Sequence, residues 1–184
     1  MVVIITALTA LAIPSILKQM RDRRTRQAAE EIAAIYRQAR LRALGRGSAV
    51  LVRYAIASFE TREATLGGAT ANCVQLPLSN CMSADWTGVN ATLTSQQLSL
   101  WAPPAGIISE VFTNGVPTGA AQTALDVCFT PMGRAYVNTA TPPAFQTLSG
   151  VPLIRVSGAD PTRLKRYVLI PPNGLARTDV ASTQ

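Results

Sequence analysis

Residues 1–17, MVVIITALTALAIPSIL, carry no charge and are polar only at Thr6, Thr9 and Ser15. A helix that crosses a bilayer needs about 20 apolar residues, so this run is a few residues short. Two readings compete. One is the apolar core of a secretory signal, with Ala10-Leu11-Ala12 as its cleavage site. The other is a membrane helix whose beginning lies upstream of Met1. A secretory signal opens on basic residues, whereas this run is apolar from its first position. Helical character also continues past Leu17 without a turn signal, which favours the membrane helix. Pro14 removes one helical hydrogen bond and is expected to kink or locally melt that helix.

From 19 to 44 there is neither Gly nor Pro. Thr25, Ala28, Ala29, Ile32, Ile35, Tyr36, Ala39 and Ala43 recur at steps of three and four, a single apolar stripe on an otherwise charged helix. The stripe is narrow and rich in Ala, so a neighbour can approach its backbone closely. Gly45 and Gly47 supply the stop. The two segments predict one helix of about 44 residues, roughly 65 Å long at 1.5 Å per residue. Such a rod outreaches a small domain, so its first half requires lipid or other helices.

Beyond Gly47 the period changes from 3.6 to 2. Residues 48–60 alternate as one half-buried strand with Val50, Val52, Tyr54 and Ile56 on one face. A loop-rich stretch covers 67–90. Strand patterns follow at 97–101, 107–112, 125–130 and 134–138, the last two separated by Pro131-Met132-Gly133. Segments 152–157 and 163–170 read as a hairpin across Gly158-Ala159-Asp160-Pro161, and Pro171-Pro172-Asn173-Gly174 turns into a short strand at 175–178. The expected fold class is therefore α+β: a long N-terminal helix packed on an antiparallel sheet or sandwich. Its divisions are a membrane-embedded part at 1–17, an amphipathic basic part at 18–46 and a β-rich domain at 47–184.

Composition narrows the function. The chain of 184 residues has 48% hydrophobic but 15% charged residues, which argues against disorder. It contains no His, which removes the commonest general base, the commonest zinc ligand and every Ser-His or Cys-His pair. The acidic residues are scattered, and the adjacent Glu30 and Glu31 point about 100° apart on a helix. No phosphate loop of the GxxxxGK type occurs. An enzyme is not expected. The net charge of +7 is concentrated: residues 18–46 hold nine cations against Asp22, Glu30 and Glu31, a net of +6, and the rest is near neutral. That stripe reads either as a helix at a membrane surface or among partner helices, or as a phosphate-binding surface.

An apolar start with a Pro after the apolar run, a long Arg/Ala helix and a β-domain together resemble the type IV pilins. More narrowly, the chain is similar to the GspH/FimT family of minor pilins and pseudopilins. The carrying residues are Leu11-Ala12-Ile13-Pro14-Ser15, Gln38-Ala39-Arg40 with Ala43, the alternating run from Val50 to Ile56, Phe129-Thr130-Pro131-Met132-Gly133-Arg134, and Tyr167-Val168-Leu169-Ile170-Pro171. The family's basic leader and early glutamate would lie upstream of Met1, and its late Gly-Arg pair is replaced by Gly174-Leu175-Ala176-Arg177. The resemblance implies a non-enzymatic structural subunit, single-pass in the inner membrane with its β-domain in the periplasm, then at or near the tip of a pilus or pseudopilus. Its implied partners are other minor pilins, the major pilin and membrane lipid, with no cofactor and no small-molecule substrate. Pro14, Ala28, Ile32, Ile35 and Ala39 would pack against neighbouring helices. One signal points the other way: basic residues at 18–26 would, by the positive-inside rule, mark that side as cytoplasmic.

In an oxidising periplasm Cys73 and Cys81, eight residues apart, are the expected disulfide, closing a short loop for about 2–3 kcal/mol. Cys128 falls on the face opposite Leu125, Val127 and Phe129 and reads as a small buried hydrophobe; pairing with Cys73 or Cys81 is its alternative. Some proteins resembling this family bind DNA through basic residues in late loops. Arg134, Lys165, Arg166 and Arg177 are the corresponding candidates, weighed against solvated charges that protect strand edges. Trp86 and Trp101 read as packing residues before stacking platforms. A secreted β-protein with a cleaved signal is the remaining alternative.

Overall fold

The computed structural model describes residues 2–55, 58–66, 76–82, 84, 86, 95–112, 120–138, 145–148, 150–159 and 164–180, with side chains from residue 19 onward except at 66, 76 and 77. One N-terminal helix packs on two antiparallel sheets, an α+β architecture. The helix α1 (Val2–Arg46) is continuous through Pro14. The single hydrogen bond lost there does not melt it, because the turns on either side remain bonded. Its end is an αL cap: Gly47 has φ 69°, and its N–H donates to the Ala43 carbonyl at 3.1 Å.

The first sheet runs β3 (Leu76–Pro77), β2 (Ser58–Leu66), β1 (Val50–Ala55), β6 (Ala124–Phe129), β7 (Ala135–Asn138), β8 (Gln146–Thr147), with β4 (Ser95–Trp101) also on the outer edge of β2. The second runs β11 (Arg177–Val180), β10 (Arg166–Leu169), β9 (Leu153–Gly158), β5 (Ile107–Phe112). The single strand expected over 48–60 is in fact a hairpin: β1 and β2 pair with Ala55 opposite Ser58. Ser58 Oγ donates to the Ala55 carbonyl at 2.7 Å and helps close it. The core-facing positions change from even (Val50, Val52, Tyr54) to odd (Phe59, Thr61, Glu63, Thr65) at the turn, a change of phase that the polar residues of β2 conceal. The place assigned to Ile56 lies outside the described residues.

Each face of β1 has its own core. Val50, Val52 and Tyr54 join Phe59, Leu125, Val127 and Phe129 against the helix. Leu51 faces away, into a second cluster with Ala64, Cys81, Trp86, Cys128 and Phe145. The helix stripe closes the first core from both sheets at once, reaching Ile154, Val156, Val168 and Ile170 on the second sheet. Its alanines at 28, 29, 33, 39 and 43 are buried and allow this close approach. The Tyr54 hydroxyl donates to the Ser109 carbonyl at 2.7 Å and ties the sheets together.

Tyr36 lies fully buried at the centre, edge-on to Phe59 and Phe129 with centroids 6.3 and 6.4 Å away. Its hydroxyl has no hydrogen-bond partner among the described residues. Burial pushes its pKa far up, so it stays neutral. A buried unpaired hydroxyl costs about 1–3 kcal/mol. Tyr36→Phe is therefore expected to raise the thermal midpoint by a few degrees, measured by circular dichroism.

Candidate functional site

Four of the five residues expected to pack against neighbouring helices pack within the chain itself. Ala28, Ile32 and Ala39 are buried in the chain's own core, and half-buried Ile35 packs on its margin. The stripe was legible, but it faces the β-domain of the same chain. Pro14 lies outside the residues whose side chains are described.

The helix is also tied to the sheets by charge. Glu63 of β2 is 2% exposed, yet it is ionised. Ser48 Oγ donates to it at 2.7 Å, Arg42 Nε at 2.8 Å and Arg46 Nε at 3.0 Å. Burial alone would raise its pKa; the hydrogen bonds from Ser48 and Arg42 and the charges of Arg42 and Arg46 outweigh this and hold it below the usual value. The carboxylate therefore contributes stability that is complete above its ordinary 4.5 and is lost as pH falls through the lower native value. Glu63→Gln is expected to lower stability by about 1–3 kcal/mol at pH 7 and to flatten the loss below about pH 4.5, read from urea midpoints between pH 3 and 7. Sequence spacing could not indicate this site, since its members come from the helix end and from the second strand.

A second tie starts two positions before Arg42, at Arg40. Arg40 Nε donates to the Asn173 carbonyl at 3.0 Å, with its side chain passing two turns. A Cβ on Gly174 (φ +73°) would stand 2.9 Å from Arg40 Cδ and 3.0 Å from Phe129 Cε1, so the turn requires glycine there. Gly133 sits against the same guanidinium. At the opposite end Arg166 of β10 reaches Asp22 at 3.4 Å. The described ties between helix and sheets thus extend from Asp22 to Arg46.

These ties separate the four candidates for nucleic-acid contact. Exposed Arg134 and Arg177 lie at the turns beside Arg40, whereas Lys165 and Arg166 lie at the Asp22 end. Arg177 is opposite Leu169, four residues along the chain from Lys165, or about 13 Å at a strand's rise. Arg166 is moreover neutralised by Asp22. The four therefore fall into two groups, one beside Arg40 and one at the Asp22 end.

No family model, curated protein or solved structure matches this chain.

The expected Cys73–Cys81 disulfide is corrected. Cys81 is bonded to Cys128, 47 positions away in sequence, with a Cα separation of 6.0 Å. Cys128 does lie on the face opposite Leu125, Val127 and Phe129, as expected, and that face is where the segment around Cys81 packs. Cys73 lies outside the described residues. Trp86 covers the bond: it is buried, and its Nε1 donates to the Cys81 carbonyl at 3.0 Å. Its own carbonyl accepts from Arg53 and Arg62 at 3.2 and 3.3 Å, while Arg53 grips Asp126 with two bonds of 2.9 Å. Trp101 packs tilted against Phe59 with centroids 5.6 Å apart, and its Nε1 donates to Glu31 at 3.1 Å. Both indoles are packing residues.

Among the described residues no group of three metal-ligating side chains occurs. Among the described residues, too, no helix is long and apolar enough to cross a membrane; the run 1–17 lies outside those whose side chains are described.

Proposed function

We propose that this chain is a minor pilin or pseudopilin, a structural subunit at or near the tip of a type IV pilus or type II secretion pseudopilus that helps to start assembly. The observation that carries the reading is the 45-residue helix α1, about 68 Å at 1.5 Å per residue, which runs unbroken from the apolar sequence into the stripe that packs on the sheets from Ala28 onward. Upstream of that point the same rod carries the apolar sequence 1–17, suited first to lipid and then to the helices of other subunits. The disulfide suits an oxidising compartment, as the periplasm is. Because the stripe through Ile32 is occupied within the chain, inter-subunit helix packing falls to residues 1–17, including Pro14, and to the outer face of α1.

Leu8→Arg tests this. The unaltered chain is expected in the carbonate-resistant membrane fraction and in sheared filaments. The variant should leave both while still forming the Cys81–Cys128 bond. Recovery of the unaltered chain in the soluble fraction, cut after Ala12, would refute the proposal and establish a secreted β-protein.

A further inference from the structure

The end of the β-domain from which α1 departs combines cations with exposed apolar side chains. Three observations bring its parts together. Arg166 pairs with Asp22 of the helix, so Leu164 and Lys165 come beside the helix exit. Val180 is the register partner of Arg166 and closes the same end of the second sheet. A Cβ on Gly158, the last residue of β9, would stand 3.9 Å from Thr25 Oγ1. Met20, Leu164 and Val180 are 51%, 45% and 44% exposed here.

The charge around them is one-sided. Arg21, Arg23 and Arg24 are exposed and have no ion-pair partner among the described residues. Asp22 is taken by Arg166, and Arg26 turns up the helix to Glu30 at 2.8 Å. Among the described residues Asp179 is the remaining nearby carboxylate; it is exposed, and its Oδ1 accepts from the Val180 N–H at 2.8 Å.

We infer that this end of the domain is a docking face for anionic phospholipid headgroups. The inference rests on the reading above, in which residues 1–17 enter the bilayer. Arg21 to Arg24 then follow the apolar run by about 6–10 Å along the helix axis, the depth of a headgroup layer. Guanidinium groups there meet lipid phosphates while their stems, with Met20, Leu164 and Val180, lie against the upper acyl region. The arginines that would by themselves mark a cytoplasmic flank are instead held at the surface on the β-domain's own side. The face seats the domain squarely on the membrane before the helix is drawn out.

The test uses the full chain reconstituted in vesicles of pure phosphatidylcholine and of phosphatidylcholine with phosphatidylglycerol. Flotation reports insertion, and amide hydrogen exchange at 164–168 and 177–180 reports docking. Flotation with both lipids, with exchange at least about five-fold slower on the anionic vesicles, is the expected result. The difference should vanish in 0.5 M salt and in the combined Arg21→Gln, Arg23→Gln, Arg24→Gln chain, which should still float. Equal exchange on the two lipids would overturn the docking face while leaving the subunit reading intact. Failure to float with phosphatidylcholine would overturn the membrane reading of 1–17 and the inference with it. If a 20-base-pair duplex slows exchange on phosphatidylcholine as much as phosphatidylglycerol does, the face belongs to nucleic acid and the lipid assignment fails.

Discussion

Ile32→Asp is expected to abolish the folded β-domain. Ile32 is 0% exposed, and its side chain belongs to the core that joins the helix to both sheets. An aspartate there loses the apolar burial of Ile and sets a carboxyl group among Ala, Val, Phe and Tyr side chains. An uncompensated buried polar or charged group costs several kcal/mol, against a total domain stability of about 5–15 kcal/mol. The full chain in detergent should therefore show no cooperative thermal transition by circular dichroism. Ile35→Asp, at the half-buried margin, should fold with a lowered midpoint. If Ile32→Asp melted within a few degrees of the unaltered chain, the stripe would face outward, toward another molecule.

Loss of the Cys81–Cys128 bond should have the next largest effect. The bond closes a loop spanning 47 positions, and chain-entropy arguments give about 4 kcal/mol for a loop of that length. The bond pins Cys81 over one face of the first sheet, where Ala84 and Trp86 are buried beside it. Cys128→Ser should therefore lower the urea midpoint sharply and expose Trp86, seen as a red shift in tryptophan emission. Dithiothreitol should do the same to the unaltered chain. Cys73→Ser should leave both signals alone, and peptide mapping should still recover Cys81 joined to Cys128. Recovery of a Cys73–Cys81 peptide from the unaltered chain would refute the assignment.

The helix stripe was readable but for Ala33, because it is a local pattern: every residue from Thr25 to Ala43 that the 3.6 period selected is buried or half-buried. The strands at 107–112 and near 125–130, the antiparallel pairing of the segments 152–157 and 163–170 and the Gly47 stop were local in the same way. β2 was hidden because SFETREATL buries Glu63 and Thr65 as well as Phe59 on its core face, so polarity no longer marks the solvent side. The tie at Arg40 was invisible for a different reason. Its partner Asn173 is 133 positions away, and nothing in either segment names the other.

The sequence by itself determined the long helix, its apolar stripe, the change to β structure after Gly47 and the concentration of charge in residues 18–46. Each of these depends on neighbours within a few positions. Only the tertiary structure decided what the stripe touches, which cysteines join, how Glu63 stays charged beneath the surface and which arginines remain unpaired. Those outcomes depend on contacts between distant segments, which form only when a helix and two sheets must share one core.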